Sequence, residues 1–220
     1  MKKHTFPALL FLLFIFLVVF CKPCFASQLK QSIQKYESLE VSDLAMKRLV
    51  PFNKLINKYA QYTFFRRNHK VSPDFIRALI LAESSANPKA VSSKGAMGLG
   101  QIMFSTGKQA AIEISKSKYN FPYLNRQKLY HLQKEDLFDP AVNILLTCYL
   151  ISKYNYKFNG RLELVLSAWN AGEYHEELNQ GRPVPYKETH DLIGKVNGYY
   201  IDLLQKRKRS SGLSIKYRKQ

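Results

Sequence analysis

Apolar residues recur along most of this chain at intervals of three and four, the spacing of α-helices with one buried face, and nowhere alternate like a half-buried strand. Residues 28–66 carry the helical spacing with an interruption at Pro51. Ser72 is placed to cap the next helix, with Pro73 at its first position. Phe75, Ile76, Leu79 and Ile80 make its inner stripe, and it should stop before Asn87-Pro88. Another helix is expected from Phe104 to about Ser117, and Asp139-Pro140 repeats the cap-and-proline signal for a strongly apolar helix reaching about Tyr154. Leu162 to Ala171 ends at Gly172, a natural left-handed terminator. After a loop holding Gly181, Pro183 and Pro185, a last helix spans about Glu188 to Leu204. Short helices at uneven spacing, with no internal repeat, predict a compact all-α domain.

The ends change this picture. Residues 1–26 contain no acid, open with Lys2 and Lys3, and hold an apolar run from Phe6 to Phe20 before Cys24-Phe25-Ala26. A charged start, a short apolar core and a small-residue exit describe a secretory signal, so the chain is expected to be exported to the periplasm or cell envelope. Residues 206–220 carry seven basic residues and no acid, which predicts a disordered tail able to tether to anionic wall polymer or a membrane surface. Between them we expect an N-terminal helical extension at 27–54 and one helical domain at 55–205. The whole chain has 34 Lys and Arg against 16 Asp and Glu, a formal charge of +18. Such charge implies a polyanionic neighbourhood without choosing one, and it gives no ground for a specific nucleic-acid partner.

Cysteine and histidine usage narrows the chemistry. Cys21-Lys22-Pro23-Cys24 has redox spacing but lies in the signal exit, without a βαβ context. Cys148 lies in an apolar helical run and reads as a core residue. The histidines show no metal-ligand spacing and no phosphate-cradling loop opens a helix, so no cofactor or metal is expected.

The candidate site lies around Glu83. It follows Leu79 by four residues and Ile80 by three, so it shares their apolar stripe, and it sits in the last turn, where the helix dipole disfavours negative charge. Both effects favour the protonated form. A glutamic acid in an apolar pocket reaches a pKa of roughly 6, suited to a general acid. The segment from Gly95 to Met103 then supplies three glycines for tight turns, an apolar wall of Met97, Leu99, Ile102 and Met103, and the amide of Gln101.

Taken with Ser167-Ala168-Trp169-Asn170-Ala171-Gly172 and Pro185-Tyr186-Lys187-Glu188-Thr189, these segments resemble the soluble lytic transglycosylase family. There E-S, G-A-x-G-L-M-Q-I-M-P-x-T, Y-N-A-G and P-x-x-E-T occur in this order, over residues 55–205 here. The resemblance implies a lysozyme-like, goose-lysozyme-type α domain with a groove for peptidoglycan glycan strands. It implies Glu83 as sole catalytic acid and base, Ser92 and Gln101 lining the catalytic subsite, and Met103 packing on a sugar. Trp169 and Asn170 stand at the Y-N position, Tyr149 matches an aromatic groove residue, and Glu188 binds substrate or orients the site. The chain departs from the pattern at Gly100 (usually Met), Phe104 (Pro), Trp169 (Tyr) and Leu192 (Tyr). Gly100 in particular is expected to loosen the loop.

Ordinary glycosidases use two carboxylates. The next acid after Glu83 in sequence is Glu113, so the loop offers no second one. The resemblance therefore implies cleavage between N-acetylmuramic acid and N-acetylglucosamine with a 1,6-anhydro product. A hydrolytic muramidase of goose-lysozyme type and a catalytically weak glycan-binding module of an envelope assembly remain the alternatives.

Overall fold

The computed structural model describes residues 28–66 and 70–217, the backbone alone from 211. The segment expected to be a secretory signal, with its Cys-x-x-Cys, lies outside the described residues. The regular elements among them are all helices, and strand-like pairing is limited to isolated bridges of Met97 with Val91 and Ile102. A first helix, α1, spans 28–35. It is followed by α2 (Asp43–Leu49), a 3-10 turn over Val50–Phe52 at the expected Pro51 break, and α3 (Asn53–Tyr59). Then come α4 (Pro73–Ser84), α5 (Phe104–Ser115), α6 (Arg126–Tyr130), a 3-10 turn at Lys134–Phe138, α7 (Pro140–Lys157) and α8 (Leu162–Ala171). A short α9 (Glu176–Asn179) and a long α10 (Lys187–Tyr217) complete the described residues.

Local chemistry sets the key boundaries. Asp139 caps α7 through its side chain, which accepts from the Ala141 N–H at 2.9 Å, with Pro140 at the first position. Ser72 precedes Pro73 in extended backbone but makes no side-chain cap bond. At the other end of α4, Ser85 and Ala86 take left-handed backbone (φ 52° and 60°), and their N–H groups return to Leu81 and Ile80. The chain therefore turns sharply one residue after Glu83 and Ser84. Gly172 ends α8 at φ 91°.

The core centres on α7, buried almost throughout from Ala141 to Tyr154, with Cys148 inside it as expected. Helices α3, α5 and α8 pack on α7, and α10 packs along α4 and α8. With α10 packed along α4, the last turn of α4 shares a pocket with the first turns of α10.

Two boundaries differ from expectation. The extension is no separate piece: the 54/55 boundary falls inside α3, and residues 32–41 lie along α10. Gly194 and Gly198 make that possible, since a Cβ at either would meet the Ser32 or Tyr36 carbonyl at 2.5 or 2.3 Å. The basic tail is not a free end from residue 206, because α10 continues to Tyr217. Lys206 pairs with Asp202 (2.7 Å) and donates to the Val41 carbonyl (2.8 Å), and Arg207 pairs with buried Asp74 at 2.8 Å. These cations have carboxylate partners on the fold, which a charge count along the sequence does not show.

Candidate active site

Glu83 lies half-buried in the last turn of α4, on the wall of an open pocket of about 470 Å³. Ala82, Asn170, Lys187, Glu188, Asp191, Leu192 and Lys195 line it as well. The carboxyl oxygen Oε1 accepts from the indole N–H of Trp169 at 2.7 Å. The pKa of Glu83 is raised to about 7. Burial is the main cause and the charge of Glu188 adds to it, while the indole hydrogen bond and, more weakly, Lys195 act the other way. The sequence expectation of a protonated acid has the right sign, with desolvation as its main cause.

The glycine-rich loop is anchored firmly beside this acid. Ser84 donates to the Leu99 carbonyl at 2.7 Å, which explains why a serine following the acid is useful: it staples the loop to the helix end. Asn143, buried on α7, accepts from the Gly100 N–H (2.8 Å) and donates to the Met97 and Leu137 carbonyls (3.0 and 2.8 Å). At Gly100 a Cβ would stand 2.4 Å from Thr147 Oγ1, and at Gly98 (φ 74°) 2.2 Å from the Leu137 carbonyl. The expectation that Gly100 loosens the loop is therefore corrected: its missing side chain lets the backbone seat directly on α7.

The expected site residues divide into two groups. Glu83, Asn170 and Glu188 meet at the pocket, and Trp169 reaches it through its hydrogen bond. Asn170 donates to buried Thr189 at 2.8 Å, tying α8 to α10, and Glu188 pairs with Lys94 of the loop at 2.7 Å. Ser92, Gln101, Met103 and Tyr149 are not among the residues lining this pocket. The Ser92 hydroxyl accepts from the Ala96 N–H and closes a turn. Gln101, at φ 51°, spends its amide on the Gly98 and Ala90 carbonyls and clasps the loop. Met103 is exposed at the start of α5. Tyr149 is buried, donates to Glu113 Oε2 at 2.7 Å, and meets Phe64 and Phe65 at 5.1 and 5.4 Å between ring centres.

The sequence reading did not mark Asp191, Lys195, Lys187 or Lys94. Glu188, Asp191 and Lys195 stand at helical spacing, so one face of α10 was the available signal. Tertiary structure thus brings Glu188 and Asp191 to the pocket of Glu83, although the loop offers no second acid. Both are ion-paired: Glu188 with Lys94, and Asp191 with Lys35 at 3.4 Å and Lys187 at 3.9 Å. Among the described residues no cluster of His, Cys, Asp and Glu could hold a metal ion. No helix there is long and apolar enough to cross a membrane.

The site on this all-α scaffold thus combines a half-buried acid with a raised pKa, an indole donor on one of its oxygens and an open pocket of about 470 Å³. Residues 63–188 match the model of the Transglycosylase SLT domain, and the chain belongs to that family. It is 30% identical over 167 residues to a putative soluble lytic murein transglycosylase of Haemophilus influenzae, covering 69% of this chain and 26% of that protein. The chain thus spans about a quarter of the length of that relative. Its fold is like that of the 70 kDa soluble lytic transglycosylase of Escherichia coli (TM-score 0.53, 23% identity, 67% of this chain and 23% of that one). It is also like that of an inactive mutant of the lytic transglycosylase Slt of Pseudomonas aeruginosa (TM-score 0.52, 22% identity, 74% and 24%).

Proposed function

We propose that this protein is an exported peptidoglycan lytic transglycosylase, with residues 1–26 as its signal. Its substrate is the β-1,4 bond between N-acetylmuramic acid and N-acetylglucosamine. The observation that carries the reading is Glu83 itself, a pocket carboxyl with a pKa of about 7 and so able both to give and to take a proton near neutral pH.

In the first step Glu83 donates its proton to the glycosidic oxygen, and the C1–O bond breaks as positive charge develops at C1. The carboxylate so formed is stabilised by the Trp169 N–H and, more weakly, by Lys195. In the second step that carboxylate takes the proton of the sugar's own C6 hydroxyl as O6 closes on C1. The product is a 1,6-anhydromuramoyl end, the acid is regenerated, and no water is consumed. Glu188 and Asp191 are held as ion pairs by lysines, which leaves the proton transfers to Glu83.

One observation favours a second reading. Glu188 lines the same pocket, and a carboxylate there could orient a water toward C1, which would give hydrolysis instead. Turnover of purified sacculi tests Glu83 for both readings. Glu83→Gln, with unchanged circular dichroism, is expected to release no soluble sugar. Release at the parent rate would remove Glu83 from the chemistry.

A further inference from the structure

The charges around the pocket do not cancel one another. Asp191 is shared by Lys35 and Lys187, and Glu188 is held by Lys94. Lys195 is different. It is half-buried, it lines the pocket beside Glu83, and among the described residues no carboxylate stands within 4.0 Å of its ammonium group. Its ammonium group stands over the face of Tyr36, 5.8 Å from the ring centre. That ring comes from the N-terminal extension and is seated on α10 at Gly194, where a Cβ would lie 2.7 Å from Tyr36 Cδ2. The extension, outside the family-matched residues 63–188, thus builds one wall of Lys195's position.

When Glu83 carries its proton, the pocket lining holds Lys187 and Lys195 with Glu188 and Asp191, and Lys94 and Lys35 pair with those two carboxylates from beside it, so that four cations stand against two carboxylates. A half-buried ammonium without a counter-ion in a site of net positive charge is an anion-docking point. The glycan carries a suitable anion: a muramoyl residue bears a lactyl carboxylate when no peptide is attached, and carboxylates on its peptide when one is.

We propose that Lys195 docks a carboxylate of the muramoyl residue bound across Glu83, so that this site selects glycan by the charge of that substituent. The proposal rests on the glycan reading above.

The test uses the full chain carrying Glu83→Gln, which can bind without turnover. Trp169 is the only tryptophan in the sequence and reports binding by its own fluorescence. Three soluble strands are titrated: peptide-free with free lactyl carboxylates, the same strand converted to carboxamides, and a peptide-bearing strand. The free-acid strand is expected to bind on the order of tenfold more tightly than the carboxamide. Adding Lys195→Met should bring that ratio close to one, and Lys195→Arg should keep it. A peptide-bearing strand that behaves like the carboxamide identifies the lactyl group as the anion. If it binds like the free acid and loses that advantage with Lys195→Met, the anion is on the peptide. Equal affinity for all three strands, or a ratio that survives Lys195→Met, overturns this proposal and leaves the glycan reading standing. Binding of none of them overturns the glycan reading as well.

Discussion

The indole N–H of Trp169 donates to Oε1 of Glu83 over 2.7 Å, and this divides the work of the two carboxyl oxygens. An indole nitrogen can only donate, so Oε1 must offer a lone pair in both protonation states, and the acid's proton belongs on Oε2. A tyrosine hydroxyl, usual at this position, can donate or accept and imposes no such choice.

Removing the donor should make the carboxylate harder to form. In Trp169→Phe the pKa of Glu83 is expected to move above its present value of about 7. Activity that needs the protonated acid falls as pH rises through that pKa, so the alkaline limb of the pH–rate profile should shift to higher pH. Peak kcat should drop roughly tenfold from loss of a hydrogen bond to a charged group. Trp169→Tyr should restore much of both. A limb that stays in place in Trp169→Phe would show that the indole bond does not tune the acid.

The same shift predicts a stability change. Glu83 titrates near 4.5 when exposed and near 7 in the fold, so the native state holds this proton more tightly. Its contribution is complete below about pH 4.5 and is lost as pH rises through about 7. Glu83→Gln should therefore be more stable than the parent at pH 8, by about 2 kcal/mol after allowing for partial exposure, with the gap closing toward pH 4.5. Thermal unfolding of both proteins across that range checks it.

The loop's seat on α7 should be sensitive to single atoms. Gly100→Ala places a methyl 2.4 Å from Thr147 Oγ1 and is expected to cost about 1–3 kcal/mol. Asn143→Ala takes away the partner of the Gly100 N–H and of the Leu137 carbonyl and one of the two donors to the Met97 carbonyl, at a cost of about 3 kcal/mol. Urea unfolding measures both, and Thr147→Ala should recover part of the Gly100→Ala loss by removing the oxygen in the way.

Much of this was legible in the chain, for identifiable reasons. Asp139-Pro140 and Gly172 mark helix ends because capping and left-handed backbone are local chemistry, and α8 has the bounds that its pattern predicts. Glu83 was legible because its helical stripe is apolar. What depends on packing was not. Gln101 and Ser92 hold the loop together, a use that cannot be told from ligand binding by residue type. Lys195 gains its meaning from Tyr36, far away in the chain. The partner of Arg207, Asp74, lies on another helix far away in the chain.

That last contact gives a further prediction. Arg207→Ala should lower stability by about 1 kcal/mol, because Asp74 is buried and Arg77 is then its one ion-pair partner among the described residues, whereas Lys208→Ala should be close to neutral. Equal effects in urea unfolding would mean that the basic run acts only through its overall charge.

The measurement that bears most directly on the central claim is the mass of the sugars released from purified peptidoglycan by residues 27–220, run beside Glu83→Gln. Fragments one water lighter than hydrolysis products, absent with the variant, are the predicted result. Fragments with ordinary reducing ends would contradict it and make the protein a hydrolase.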